Sequence, residues 1–137
     1  MDCPADIVFV VDESGSIGAT NFDLMKNFLS QLIGNLDIQS GRTRVGLVTY
    51  SSAVGTGFNL SDYQTIASMQ SAILSLHYPG GGTNTGAALT YVRTTMLTSA
   101  AGDRGNVPNV VVVLTDGHSA NVDHTLVCKM LCALLLT

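Results

Sequence analysis

The apolar positions of this chain fall into two kinds of run. Residues 7–11 (IVFVV), 45–50 (VGLVTY) and 110–114 (VVVVL) are apolar almost throughout, with no alternation. Such runs suit strands covered on both faces, as in a parallel sheet. Residues 21–36 instead set Phe22, Met25, Phe28, Leu29, Leu32, Ile33 and Leu36 at helical spacing, with Thr20 or Asn21 available as the cap. A second helix carries Ile66, Met69, Ile73, Leu74 and Leu76 behind a cap at Ser61 or Asp62, and a third is predicted over residues 85–97. Residues 54–60 read as an edge strand, weakened by Gly55 and Gly57. In the tail, Leu126, Met130 and Leu134 recur with Val127 and Leu131 alongside, which predicts a helix over residues 123–135.

Strands alternating with helices predict an α/β fold: a doubly wound, mainly parallel sheet with helices on both faces. At 137 residues the chain suffices for one domain with a sizeable core. Ligands of such sheets bind beyond the carboxyl ends of the strands, where strand order reverses. If the tail is helical, the strand at residues 110–115 keeps one exposed, highly apolar edge, which invites pairing with another chain.

Composition narrows the partners. Hydrophobic residues make up 46 % and charged ones 12 %, a globular rather than a disordered balance. The net charge is −4, and Lys26, Arg42, Arg44, Arg93, Arg104 and Lys129 are scattered, which argues against nucleic acid. No stretch reaches the roughly 18 apolar residues of a membrane span. The amino terminus has no signal-peptide pattern, so the chain is either cytosolic or a piece of a longer secreted one. Cys3, Cys128 and Cys132 are odd in number, and Cys128 and Cys132 lack the second ligand pair of a zinc site. They read as small apolar residues on a helix face.

Candidate chemistry gathers in three turns. "DESGS" follows the first strand and supplies Asp12, Ser14 and Ser16; the glycine-rich "PGGGTNTGAAL" supplies Thr83; "TDG" ends the residues 110–115 strand with Asp116. Oxygen donors without sulfur or nitrogen select a hard cation such as magnesium. Gly15 permits a tight turn that aims both serine hydroxyls one way. If Ser14, Ser16 and Thr83 bind directly and both aspartates act through water, the protein shell around the ion is neutral. An outside carboxylate can then take the open position. Each residue also has a plainer reading. Asp12 and Asp116 are common turn residues, Thr83 suits a helix start, and Glu13 reads as a solvated neighbour pointing away from the serines. Residues 81–88 have the glycine spacing of a phosphate loop, but Ala87 and Ala88 stand where lysine and serine or threonine belong. Ser14 and Ser16 lack the frame of a hydrolase nucleophile. His118 reads as an exposed loop residue, His77 and His124 fit no pattern, and Asn59-Leu60-Ser61 is a glycosylation sequon only in a secreted chain.

The buried strand with D-x-S-x-S, the threonine in "GGGTNTG" and "VVVVLTDG" together resemble a von Willebrand factor type A domain over about residues 5–119, nearest those of matrilins and type VI collagen. The resemblance implies a metal-ion-dependent adhesion site holding magnesium or manganese. Ser14, Ser16 and Thr83 would be direct ligands, with Asp12 and Asp116 reaching the ion through water or only conditionally. It implies an extracellular protein-binding module, not an enzyme, that engages a Glu or Asp of a matrix partner. The tail departs from the family pattern: no fifth strand is recognisable, so the single domain spanning residues 1–137 is expected to lack its last strands. Two rivals are a metal-assisted phosphohydrolase and a type A spacer with a vestigial site.

Overall fold

Every residue of the first strand, β1 (Ala5–Asp12), is buried, as its unbroken apolar run requires. The computed structural model describes residues 3–116 and 131–136. In it β1 is the middle strand of a five-stranded sheet. It pairs in parallel with β2 (Thr43–Tyr50) on one side and β4 (Asn109–Thr115) on the other. The edge strand β3 (Val54–Phe58) is antiparallel to β2. The sheet is therefore mixed, with a parallel centre and antiparallel margins.

Alternate residues of β1 feed two cores, which is why no polar position interrupts it. Phe9 and Val11 pack with Phe22, Leu29 and Ile33 of α1 (Ala19–Ile33) and with Met69 and Ile73 of α2 (Ile66–Leu74). Val8 and Val10 pack on the opposite face with Ala88 of α3 (Thr85–Tyr91) and with Val92 and Met96. Residues Val92–Met96 continue α3 as a π-helical turn. Helices thus cover both faces of the sheet, as the alternation of elements predicts.

Helix boundaries depart from expectation where side chains find other partners. Helix α1 has Gly18 at its N-cap, and Asn21, expected as a cap, instead donates from Nδ2 to Ile17 O at 2.9 Å. Helix α2 is capped by Thr65, whose hydroxyl accepts from Ser68 N at 3.3 Å. Ser61 and Asp62 are engaged elsewhere: Asp62 Oδ2 accepts from Asn59 N at 2.8 Å, and Ser61 donates to Ala101 O at 3.4 Å. The stretch at residues 98–108 is more than an exposed connection, because Arg104 reaches across to the buried Asp6.

The tail corrects a larger expectation. Leu131–Leu136 forms a strand, β5, antiparallel to β4 with Val112 opposite Leu134. The helix expected over residues 123–135 is therefore absent from 131–135, and its first part lies outside the described residues. Strand β4 is paired on both sides, and its exposed edge disappears. The reason is that Leu131–Leu136 is apolar at every position, so its fit to helical spacing carries no information. Backbone groups of β4 left bare in an apolar setting need partners, and β5 supplies them. Cys3 is exposed and forms no disulfide; Cys128, His118 and His124 lie outside the described residues. Among the described residues no helix is long and apolar enough to cross a membrane.

Candidate metal centre

Strand order reverses at β1, whose neighbours β2 and β4 come from different parts of the chain. The crevice of a doubly wound sheet opens at such a point, beyond the carboxyl ends of the strands. Asp12 ends β1 there, and Thr115 with Asp116 ends β4. Asp12 is fully buried, and both its carboxylate oxygens are tied down: Oδ1 accepts from Ser14 N at 2.8 Å and Oδ2 from Thr115 Oγ1 at 2.7 Å. Ser14 is fully buried, whereas Ser16 is exposed, and their hydroxyl oxygens lie 3.1 Å apart. The glycine-rich loop meets this turn through Gly15 N, which donates to Gly81 O at 2.8 Å. Gly81 has φ 115°, a conformation that needs glycine. Its loop is fixed from behind by Gly82 N donating to Ser52 Oγ and Asn84 N donating to Ser51 O. Thr83, between those anchors, is buried.

One residue beside the site, Tyr50, escapes sequence reasoning. Tyr50 ends β2 beside Asp12 and is fully buried. Its hydroxyl accepts from Thr85 Oγ1 at 3.2 Å and has Thr115 as a second partner. Burial, first, raises the Tyr50 pKa, with the negative charges of Asp12 and Asp116 adding to it and the hydrogen bonds of Thr85 and Thr115 opposing. The only sequence signal for Tyr50 is its place at the end of a buried strand.

Glu13 corrects an expectation. It does point away from the serines, but it is 4 % exposed rather than solvated. It passes beneath β3 where Gly55 has no side chain to obstruct it, hydrogen-bonds Thr49, and faces a cavity of about 490 Å³ also lined by Phe58, Tyr63 and His77. Burial, chiefly, raises its pKa; the Thr49 hydrogen bond opposes this and the Asp12 charge reinforces it.

The donor set has a definite chemistry. Among the described residues no three of His, Cys, Asp and Glu gather to hold a metal, and the oxygen donors brought together at this turn are the hydroxyls of Ser14 and Ser16 beside the Asp12 carboxylate. Ligands about 2.1 Å from magnesium lie about 3.0 Å apart along an octahedral edge, close to the 3.1 Å between the serine hydroxyls. With both oxygens of Asp12 committed to Ser14 N and Thr115, its geometry suits contact through water. The donors present, hydroxyl and carboxylate oxygens, are of the kind a hard cation takes.

The von Willebrand factor type A domain family model matches residues 6–132. The chain is 42 % identical to the mouse (Mus musculus) collagen alpha-4(VI) chain over 86 % of its length, covering 5 % of that protein. It is 40 % identical to human (Homo sapiens) matrilin-1 over 83 % of its length, covering 23 % of that protein. A solved structure of proximal thread matrix protein 1 from the mussel byssus, with a zinc-occupied MIDAS motif, superposes with a TM-score of 0.80 at 29 % identity. It covers 90 % of this chain and 33 % of its own. The chain therefore spans under a quarter of these collagen and matrilin relatives. With a family match across nearly all of its length and a sheet ordered around β1, the chain belongs to the von Willebrand factor type A domain family.

Proposed function

We infer that this domain is an extracellular protein-binding module that uses a magnesium or manganese ion to engage a Glu or Asp of a matrix protein. Ser14, Ser16 and Thr83 would hold the ion directly, with Asp12 and Asp116 acting through water. The observation that carries this reading is the division of labour around Asp12. Its charge is buried and fully hydrogen-bonded, while the adjacent hydroxyls stand at octahedral spacing. Neutral hydroxyls leave a dication with uncompensated charge, and a partner carboxylate is the group that supplies it. The collagen and matrilin relatives are matrix proteins, which favours an extracellular setting and a binding rather than an enzymatic role.

Magnesium or manganese should raise the melting temperature through preferential binding to the native state. Asp12→Ala should abolish that shift. Binding to a matrix partner should vanish in chelator, and also when one partner carboxylate becomes its amide. Partner binding that persists in chelator would move recognition to another face.

A further inference from the structure

We propose that Tyr78 is a positioning residue of the metal centre, whose hydroxyl clamps the turn at residues 14–18 and so fixes Ser14 and Ser16 opposite the glycine-rich loop. This rests on reading the three loops as a metal centre. Tyr78 lies between α2 and the glycine-rich loop, in the segment that brings the chain to Gly81. Its hydroxyl donates to Ser14 O at 2.8 Å and accepts from Gly18 N at 3.1 Å. The two bonded atoms bracket Ser16, so a single oxygen holds both ends of the segment that carries it. Inside that segment, Ile17 N donates to Ser14 O at 3.1 Å, and no regular helix or strand stiffens it.

The clamp is itself anchored. The Tyr78 ring packs on Phe22 of α1 with centroids 5.4 Å apart, and Lys26 Nζ donates to Leu76 O at 3.1 Å. Gly15 N to Gly81 O, at 2.8 Å, joins the same two loops at a second point. The serine turn is thus held at Ser14 O, Gly15 N and Gly18 N by groups between residues 78 and 81. A hydroxyl pair meant to share one cation must be held at fixed spacing before the ion arrives, because ordering it on binding would weaken affinity. A tyrosine kept only for packing would not need its oxygen. Phenylalanine would fill the same space against Phe22.

Tyr78→Phe keeps the ring and deletes the clamp. In metal-free protein, the Gly18 amide of the variant should exchange with solvent faster than in the wild type. Manganese titrated calorimetrically into wild type and variant should show an affinity about tenfold weaker in Tyr78→Phe, the scale of one lost hydrogen bond. Ile33→Val, a fully buried core change remote from the turn, serves as the stability control: it should lower the metal-free melting temperature and leave manganese affinity unchanged. Wild-type affinity in Tyr78→Phe would overturn the clamp while leaving the metal centre standing. So would a loss no greater than that of the control. A wild-type protein that takes no manganese would overturn the metal centre itself, and the clamp with it.

Discussion

Thr115 Oγ1 donates to Asp12 Oδ2 at 2.7 Å, joining the carboxyl ends of β4 and β1 at the point where strand order reverses. Asp12 is fully buried, and among the described residues this bond and the one from Ser14 N satisfy its two carboxylate oxygens. Thr115→Val has nearly the same shape and removes the donor. A buried acceptor that loses its partner costs about 1–3 kcal/mol, so urea unfolding in chelator should show a loss of that size. Tyr50→Phe, beside Asp12 on the neighbouring strand, should cost less, because Thr115 can still donate to Asp12. Equal stability of Thr115→Val and wild type would mean that water replaces the threonine.

At the opposite end of β1, Asp6 is fully buried and meets Arg104 through three bonds: from its backbone N at 2.8 Å, Nε at 2.9 Å and Nη2 at 2.6 Å. The same guanidinium donates to Gly41 O at 2.7 Å and Arg42 O at 2.9 Å, tying two loops to the strand. Arg104→Ala leaves the buried carboxylate with the backbone N–H alone and no counter-charge, and should destabilise by about 3–5 kcal/mol. Arg104→Lys should recover little of this, since an ammonium cannot match a planar fork that serves several acceptors. The metal-induced rise in melting temperature should persist in both variants that remain folded, because the change lies at the far end of the strand. Loss of the metal response would show that the two ends of β1 are coupled.

The contrast between these two ends explains what the sequence discloses. Asp12, Ser14 and Ser16 are legible because they sit within one turn after an unbroken apolar run, and the same design recurs before Asp116. Arg104 is not legible, because its partner Asp6 stands 98 positions away and nothing local marks the pair. Glu13 shows the same limit. Local geometry gives its direction, away from the serines, but the shelter under Gly55 is made by another strand. Likewise β5 is decided by the bare edge of β4 and not by its own pattern, since a stretch apolar at every position fits a helix and a strand equally well. The helix caps fail for a related reason: Asp62 is already occupied by its own turn and Ser61 by Ala101 O.

Glu13 yields a pH dependence whose sign follows from its raised pKa. In the unfolded chain its carboxyl titrates near 4.5, and in the native protein it titrates higher. Between those values the native state holds a proton that the unfolded state has lost. The contribution of this residue is thus most favourable in acid and declines as pH rises from about 4.5 through the raised value. Glu13→Gln keeps the shape and removes the ionisation. In chelator, the variant should exceed wild type in urea midpoint at pH 7, with the gap closing toward pH 4. A gap that does not change with pH would mean that Glu13 ionises as an ordinary surface carboxylate.

The final prediction tests β5 through the backbone of its neighbour. Strand β4 pairs in parallel with β1 from Asn109 to Leu114 and antiparallel with β5 from Val110 to Thr115. In a strand flanked on both sides, successive amides point alternately to the two neighbours, so β4 should show slow hydrogen exchange at every position from Val111 to Leu114. If residues 131–136 formed a helix, every second amide would lose its partner and exchange quickly. Leu134→Pro sharpens the test. Proline cannot donate to the ladder, and on an outer strand such as β5 it is tolerated only where the N–H would face solvent. Successive N–H groups of a strand face opposite sides, so adding Leu135→Pro removes a donor to β4 whichever of the two faces it. Leu134 and Leu135 stand opposite Val112 and Val111. The paired substitution should release only the β5-facing amides of β4 and leave those facing β1 protected. It should also leave an apolar edge on β4, so the variant should associate more readily in light scattering than the parent. Alternating exchange in the unmodified chain, with no change on substitution, would show that β5 does not close this side of the sheet.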